Sequence, residues 1–164
     1  MGIQDIADAI SNSIKYFEDL DSNAVILNGC PRSIQLEHST CGVHSIFVIL
    51  SYFGKRVSLD RLKRELRTDH DGTTEEDVRR VLRKYRLKFR VEPNASIKSI
   101  RRAIDAATPV LVSTFHGDHW CVVYGYSDRV VYVSDSSVLK NLRCRVRVDD
   151  FRRQWDRWMM CVLR

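Results

Sequence analysis

Apolar residues recur along this chain at two periods, and the change of period divides it. Over the first half they come at intervals of three and four; over much of the second half they alternate. Ile3, Ile6, Ile10, Ile14 and Phe17 mark one face of an N-terminal amphipathic helix, ended by Asp21-Ser22-Asn23. Residues 24–34 read as a loop or short strand, broken by Asn28-Gly29 and Pro31. Ile46, Phe47, Ile49, Leu50 and Phe53 define a buried helix over residues 41–53, with Gly54 as its stop signal. Residues 59–66 form a short helix with Ser58 as its N-cap. Thr73 or Thr74 caps another, running to about Arg86, with Glu75, Glu76 and Asp77 in the first turn, where the helix dipole favours acids.

Alternation then takes over. Residues 87–91 read as a strand, and residues 96–107 as a helix that stops before Thr108-Pro109. Residues 110–115, 119–126 and 129–134 are strands joined by the turns His116-Gly117-Asp118 and Ser127-Asp128. Residues 142–148 set Arg143, Arg145 and Arg147 on one face and Cys144, Val146 and Val148 on the other. Asp149 or Asp150 caps a short helix to about Asp156, and residues 158–163 form the last strand. Helices first and an antiparallel sheet second is an α+β pattern. The division is an N-terminal helix over residues 1–23, which packs on the domain or binds a partner, and one domain over residues 24–164. The chain has no internal repeat and no low-complexity tract.

This arrangement carries a set of residues suited to thiol chemistry. In Gln35-Leu36-Glu37-His38-Ser39-Thr40-Cys41-Gly42, a cysteine follows two helix-capping residue types and opens the buried helix. There the positive end of the dipole and free backbone N–H groups favour a thiolate, and a nearby imidazolium favours it further. Gln35 lies six residues before the cysteine. With the Cys41 backbone N–H, its side-chain amide is placed to hold a developing oxyanion, a role worth roughly 3–4 kcal/mol. A lone cysteine at a helix start is more often a small buried side chain. What lifts Cys41 above that reading is Gln35, Gly42 and the downstream His119 and Asp135.

His119 begins one strand and Asp135 follows the end of its hairpin partner, so antiparallel pairing brings them side by side as base and orienter. His116 competes for the base role, but it sits in a turn, where a solvated histidine is the default. His44, three residues after Cys41, is on the same helix face, and packing or surface exposure suits it better than catalysis. His38 and His70 read as loop residues. Cys30, between Gly29 and Pro31, is a loop cysteine and the fallback nucleophile, whereas Cys121, Cys144 and Cys161 lie in apolar strand contexts as inert core thiols.

Composition narrows the class. At 164 residues, 44% hydrophobic and 9% aromatic, the chain fits a single globular domain. No apolar run reaches about 18 residues, the length that marks a membrane helix. The start lacks the basic and apolar regions of a secretory signal. Gly2 is not followed by the residues of a myristoylation motif. Five scattered cysteines without a CxxC pair give no disulfide framework and no metal-ligand spacing, so neither metal nor cofactor is expected. A reduced, cytoplasmic setting follows, either in the producing cell or in a target cell that receives the protein as an effector. The formal net charge of +6 is uneven: residues 55–102 hold 16 Lys/Arg against 8 Asp/Glu. Such a field suits an acidic protein partner or an acidic peptide, with nucleic acid ranked below them. Arg79, Arg80, Arg83, Lys84 and Arg86 around Val78, Val81, Leu82 and Tyr85 also make an ordinary amphipathic helix.

Gln35, Cys41-Gly42, the Tyr52-Phe53-Gly54-Lys55-Arg56-Val57 step, Thr108-Pro109-Val110-Leu111, His119 with its apolar strand, Asp135 and the Phe151, Trp155, Trp158 pattern together resemble the papain-like cysteine peptidases. Within that group the chain is most similar to the double-glycine leader peptidase domains of bacteriocin-exporting ABC transporters, over roughly residues 30–164. The resemblance implies a papain-like fold with the nucleophile helix packed on an antiparallel sheet. It implies Cys41 as nucleophile, His119 as general base and acid, Asp135 as orienter and Gln35 as oxyanion donor. It also implies a narrow cleft that favours small residues at the cut. Three departures stand out. Val43 and His44 are bulkier than that family's residues, Ser136 follows the orienter where Asp-Pro is common, and no membrane domain follows, so a free-standing peptidase is expected.

The same residues support other outcomes. A thioester resolved by an amine, or formed from a side-chain amide, gives an acyltransferase or a glutamine deamidase of effector or toxin type. A binding module with a vestigial site and a basic surface is the non-enzymatic alternative, and its binding would weaken steeply with salt.

Overall fold

A computed structural model of the chain describes residues 2–4, 6–11, 21–137 and 145–164. Among these, the strands are β1 (Val25–Ile26), β2 (Lys88–Glu92), β3 (Val110–Thr114), β4 (His119–Tyr126), β5 (Val130–Ser134), β6 (Arg145–Arg147) and β7 (Trp155–Leu163). They pair antiparallel in the order β2-β7-β3-β4-β5-β6, and β1 adds to β4. Gly125 admits β1, because a Cβ there would lie 2.8 Å from the Val25 carbonyl oxygen.

The helices are α1 (Cys41–Tyr52), α2 (Leu59–Glu65), α3 (Glu75–Lys84), α4 (Ile97–Asp105) and α5 (Val148–Gln154). Ser58 caps α2 by accepting from the Arg61 N–H, and Thr74, not Thr73, caps α3 by accepting from the Asp77 N–H at 3.2 Å. Ser96 and Ser99 form a capping box on α4.

Leu111, Val122, Met160 and Val162 project from one face of the sheet onto α1, α2 and α3. Val110, Val112, Val123, Met159 and Cys161 project from the other onto α4 and α5, through Ile97, Ile100, Ile104 and Phe151. The expected α+β, papain-like arrangement is therefore present, with helices on both faces of the sheet. That is why β3 is buried at every position, including Ser113 and Thr114. Ile46, Ile49 and Leu50 of α1 are fully buried, each worth about 1.5–3 kcal/mol in transfer alone.

Several boundaries differ from the sequence reading. Val148 starts α5 instead of extending the strand, and Asp149 and Asp150 lie in the first turn without a side-chain cap bond. The strand β7 begins at Trp155, three residues early. Val112 pairs with Met159 but Thr114 with Trp155, so β7 carries two extra residues here. Arg157 adopts φ +60° in this bulge. The bulge breaks the alternation and hides the strand's start. Cys144 and Arg143 lie outside the described residues, as do Ile14 and Phe17. In the described part of the N-terminal helix, Ile3, Ile6 and Ile10 are all exposed, so this stretch does not bury its apolar face.

Candidate active site

The nucleophile candidate sits at an uncapped helix start. Thr40 does not accept a bond from α1; its hydroxyl donates to the Glu37 carbonyl at 2.9 Å, and a 3-10 turn, His38–Thr40, runs straight into the helix. The first-turn N–H groups are therefore not taken by a capping oxygen. The backbone N–H groups of Gly42 and Trp120 favour the charged form of the Cys41 sulfur. Gly42 has a steric role too: a Cβ there would lie 2.5 Å from the Thr73 Cβ, in a loop held by the 2.7 Å Thr68–Thr73 hydroxyl bond.

The β4–β5 hairpin pairs Val122 with Ser134, which places Asp135 one step beyond β5 and level with the start of β4. Across that gap His119 Nε2 and Asp135 Oδ1 are 2.8 Å apart. Asp135 is buried, and its Oδ1 also accepts from the Ser137 N–H at 2.9 Å. The ring of His119 also interacts with the Cys41 side chain, each shifting the other's protonation. Sulfur, imidazole and carboxylate thus act on one another in series, with His119 as the shared member.

Their electrostatics follow from that series. Burial pushes the Cys41 thiol up, but the His119 bond, the Trp120 and Gly42 N–H groups and the imidazolium charge outweigh it, and the thiol lies below its ordinary value. Burial pushes His119 down, yet the Asp135 carboxylate and the thiolate carry it up to about 9. A thiolate–imidazolium pair is the form this geometry favours. Cys30 behaves oppositely: burial alone raises it to about 12, so its surroundings do not favour a thiolate. Cys161 is also raised by burial, and Cys121 is buried within the sheet.

The remaining histidines separate clearly. His116, at φ +60° in the β3–β4 turn, is exposed, with its N–H donating to Asp156 at 2.8 Å. His38 and His70 are exposed. His44 is 7% exposed, and its Nδ1 lies 2.6 Å from the Ser33 hydroxyl. Among the described residues, the one His/carboxylate grouping close enough to share a cation is Asp69, His70 and Asp71, all exposed in the α2–α3 loop.

Gln35 is half-buried and tied at three points. Its backbone N–H donates to the Ser136 carbonyl at 2.8 Å, its Nε2 donates to the His38 carbonyl at 3.1 Å, and its Oε1 accepts from the Ser136 hydroxyl. The segment before α1 and the segment after β5 are thus laced together. Sequence reasoning registered Ser136 only as a departure from Asp-Pro; nothing local marks a serine as the partner of a glutamine 101 positions away. The Trp120 N–H was missed for the same reason.

An open depression of about 630 Å³ is lined by Phe115, His116, Trp120, Trp155, Asp156 and Trp158 among others, but by none of Cys41, His119, Asp135 or Gln35, and it shares Trp120 with their surroundings. Trp120 belongs to both, since its backbone N–H favours the charged form of the sulfur and its indole donates to the Thr73 carbonyl at 3.1 Å. The basic helix α3 is largely self-contained. Arg79 pairs with Glu75, Arg80 with Asp77, Lys84 with Glu65, and Arg83 lies 5.2 Å over the Phe89 ring. No described helix is long and apolar enough to cross a membrane.

Residues 31–164 match the peptidase C39 family. The chain belongs to that family. It is a cysteine peptidase by that membership, and the expected family resemblance is borne out. Three solved structures share the fold of this C39 peptidase. A double glycine motif protease from an AMS/PCAT transporter, in complex with the leader peptide, has 18% identity and a TM-score of 0.65, covering 84% of this chain and 96% of its own. The peptidase domain of Streptococcus ComA, a bi-functional ABC transporter involved in a quorum sensing pathway, has 18% identity and a TM-score of 0.69, with coverage of 80% and 96%. A putative C39-like peptidase from Bacillus anthracis has 18% identity and a TM-score of 0.69, with coverage of 87% and 98%. At that identity the likeness concerns the fold. No curated protein matches the sequence significantly.

Proposed function

We propose that this C39 peptidase cleaves a peptide bond through Cys41, His119 and Asp135, with Gln35 and the Cys41 backbone N–H as oxyanion donors. The observation that carries the reading is the 2.8 Å bond from the Asp135 carboxylate to the His119 ring, with that ring and the Cys41 thiol acting on each other's protonation. In the first step the thiolate adds to the scissile carbonyl carbon, and the carbonyl π electrons move onto oxygen, where the oxyanion donors receive them. The tetrahedral intermediate collapses to a thioester as His119 protonates the leaving amine. Water, losing its proton to His119, then splits the thioester and regenerates the thiol. Asp135 keeps the imidazole in one tautomer and stabilises its charged form.

The substrate is a polypeptide with small residues at the cut, of the double-glycine leader type. The leader-peptide complex of the AMS/PCAT relative supports that class. The depression beside Trp120 is where substrate residues flanking the cut would lie, with its aromatic side chains as their wall.

Iodoacetamide labelling across pH, followed by site mapping, tests the nucleophile. Cys41 reacts well below pH 8 while Cys30, Cys121 and Cys161 do not. Equal labelling of every accessible cysteine removes the basis for the assignment. Product mass from an incubated leader peptide tests the reaction: cleavage splits the chain, whereas an increase of about one dalton is deamidation and overturns the hydrolytic reading.

A further inference from the structure

We infer that Ser136 is a positioning residue for the Gln35 carboxamide, fixing which end of that amide faces an adduct on Cys41. The inference rests on the reading of Gln35 as an oxyanion donor. A carboxamide has nearly the same outline either way round, but only its nitrogen donates. Two neighbours break that symmetry here. The His38 carbonyl can only accept, and Gln35 Nε2 donates to it at 3.1 Å. The Ser136 hydroxyl donates to the opposite end, Oε1. The Ser136 carbonyl takes the Gln35 backbone N–H at 2.8 Å, so the two residues are joined twice.

Ser136 is 3% exposed, so its hydroxyl is shielded from competing water. Of the two hydrogens on Nε2, one goes to His38 and one is left for a substrate oxygen. Donation into Oε1 draws charge from the amide nitrogen and strengthens that remaining N–H as a donor. Alanine or proline at 136 could not donate this bond. Because Ser136 follows Asp135 directly, one stretch of backbone sets both the imidazole and the oxyanion donor.

The test uses the full chain and acetyl-glycyl-aminoacetonitrile, a peptide nitrile. Sulfur bonds to the nitrile carbon, one C–N π bond opens, and the thiol proton ends on nitrogen. The resulting thioimidate nitrogen occupies the place of the substrate oxygen. Iodoacetamide alkylation is the control, a displacement at saturated carbon that needs no oxyanion donor. Ser136→Ala should weaken nitrile binding about tenfold while the rate and pH profile of Cys41 alkylation stay unchanged. Ser136→Thr should restore binding. Gln35→Ala/Ser136→Ala should bind no more weakly than Gln35→Ala alone, because Ser136 acts through Gln35. A loss in Gln35→Ala with none in Ser136→Ala overturns the positioning role alone. Losses that add in the double variant, or a shifted alkylation profile in Ser136→Ala, overturn it as well. No loss in either single variant overturns the oxyanion reading together with this inference.

Discussion

Two histidines flank Cys41, and their surroundings drive them in opposite directions. His44 lies on α1, buried, with its ring against the Ser33 hydroxyl at 2.6 Å. His119 lies at the start of β4, with its ring against the Asp135 carboxylate at 2.8 Å. Burial opposes the charged form of both. In His44 a neutral hydroxyl does nothing to offset it, and burial holds the ring below its ordinary value. In His119 burial pulls the same way, but the carboxylate and the thiolate reverse it and bring the group to about 9. The partner, and not the depth, decides which imidazole keeps a proton. The histidine three residues from the cysteine is the neutral one; the charged one comes from 78 residues away.

Substitutions sharpen this contrast. The largest effect belongs to His119→Ala, which removes both the proton carrier and the countercharge. Peptide cleavage should fall by roughly 10²–10⁴ in kcat, and the low-pH alkylation of Cys41 should vanish. Retention of that alkylation would break the pairing. Next comes Asp135→Asn. It keeps the outline of the orienter but removes the charge that raises His119, so the alkaline limb of the pH–rate profile should move down from about 9. The sign follows from the pair: thiolate forms as pH rises through the lowered Cys41 value, and imidazolium is lost as pH rises through about 9. An alkaline limb that stays in place would show that Asp135 does not set it. The same shift reaches stability: His119 stabilises the fold fully below its ordinary value of 6.5, and that contribution disappears as pH rises through about 9. The smallest catalytic effect is expected of His44→Leu. It removes the Ser33–His44 hydrogen bond and should cost about 0.5–1.5 kcal/mol in thermal or denaturant unfolding, leaving the alkylation profile of Cys41 unchanged. A moved profile would draw His44 into the chemistry and erase the contrast.

Much of this was legible in the chain because it rests on regular periods. The α1 stripe from Ile46 to Leu50 and the alternation of residues 119–134 are strong enough to place a cysteine at a helix start and a histidine opposite an aspartate. What could not be read depends on departures from period or on pairs distant in sequence. The two-residue bulge in β7 concealed where that strand begins. Thr40 is a capping residue type whose hydroxyl turns back to Glu37 instead, a choice made by the 3-10 turn before α1. The contacts of Ser136 with Gln35 and of the Trp120 N–H with sulfur have no local signature, because each is made by tertiary packing.

The bulge in β7 has a mechanical consequence. It sets Asp156 against the β3–β4 turn, where the carboxylate takes the N–H groups of His116 and Gly117 and the Ser113 hydroxyl, each at 2.8 Å. The turn leading into His119 is thereby stapled to the strand beside it. An acidic clasp of this kind fixes the backbone on the approach to His119 with three hydrogen bonds from two elements.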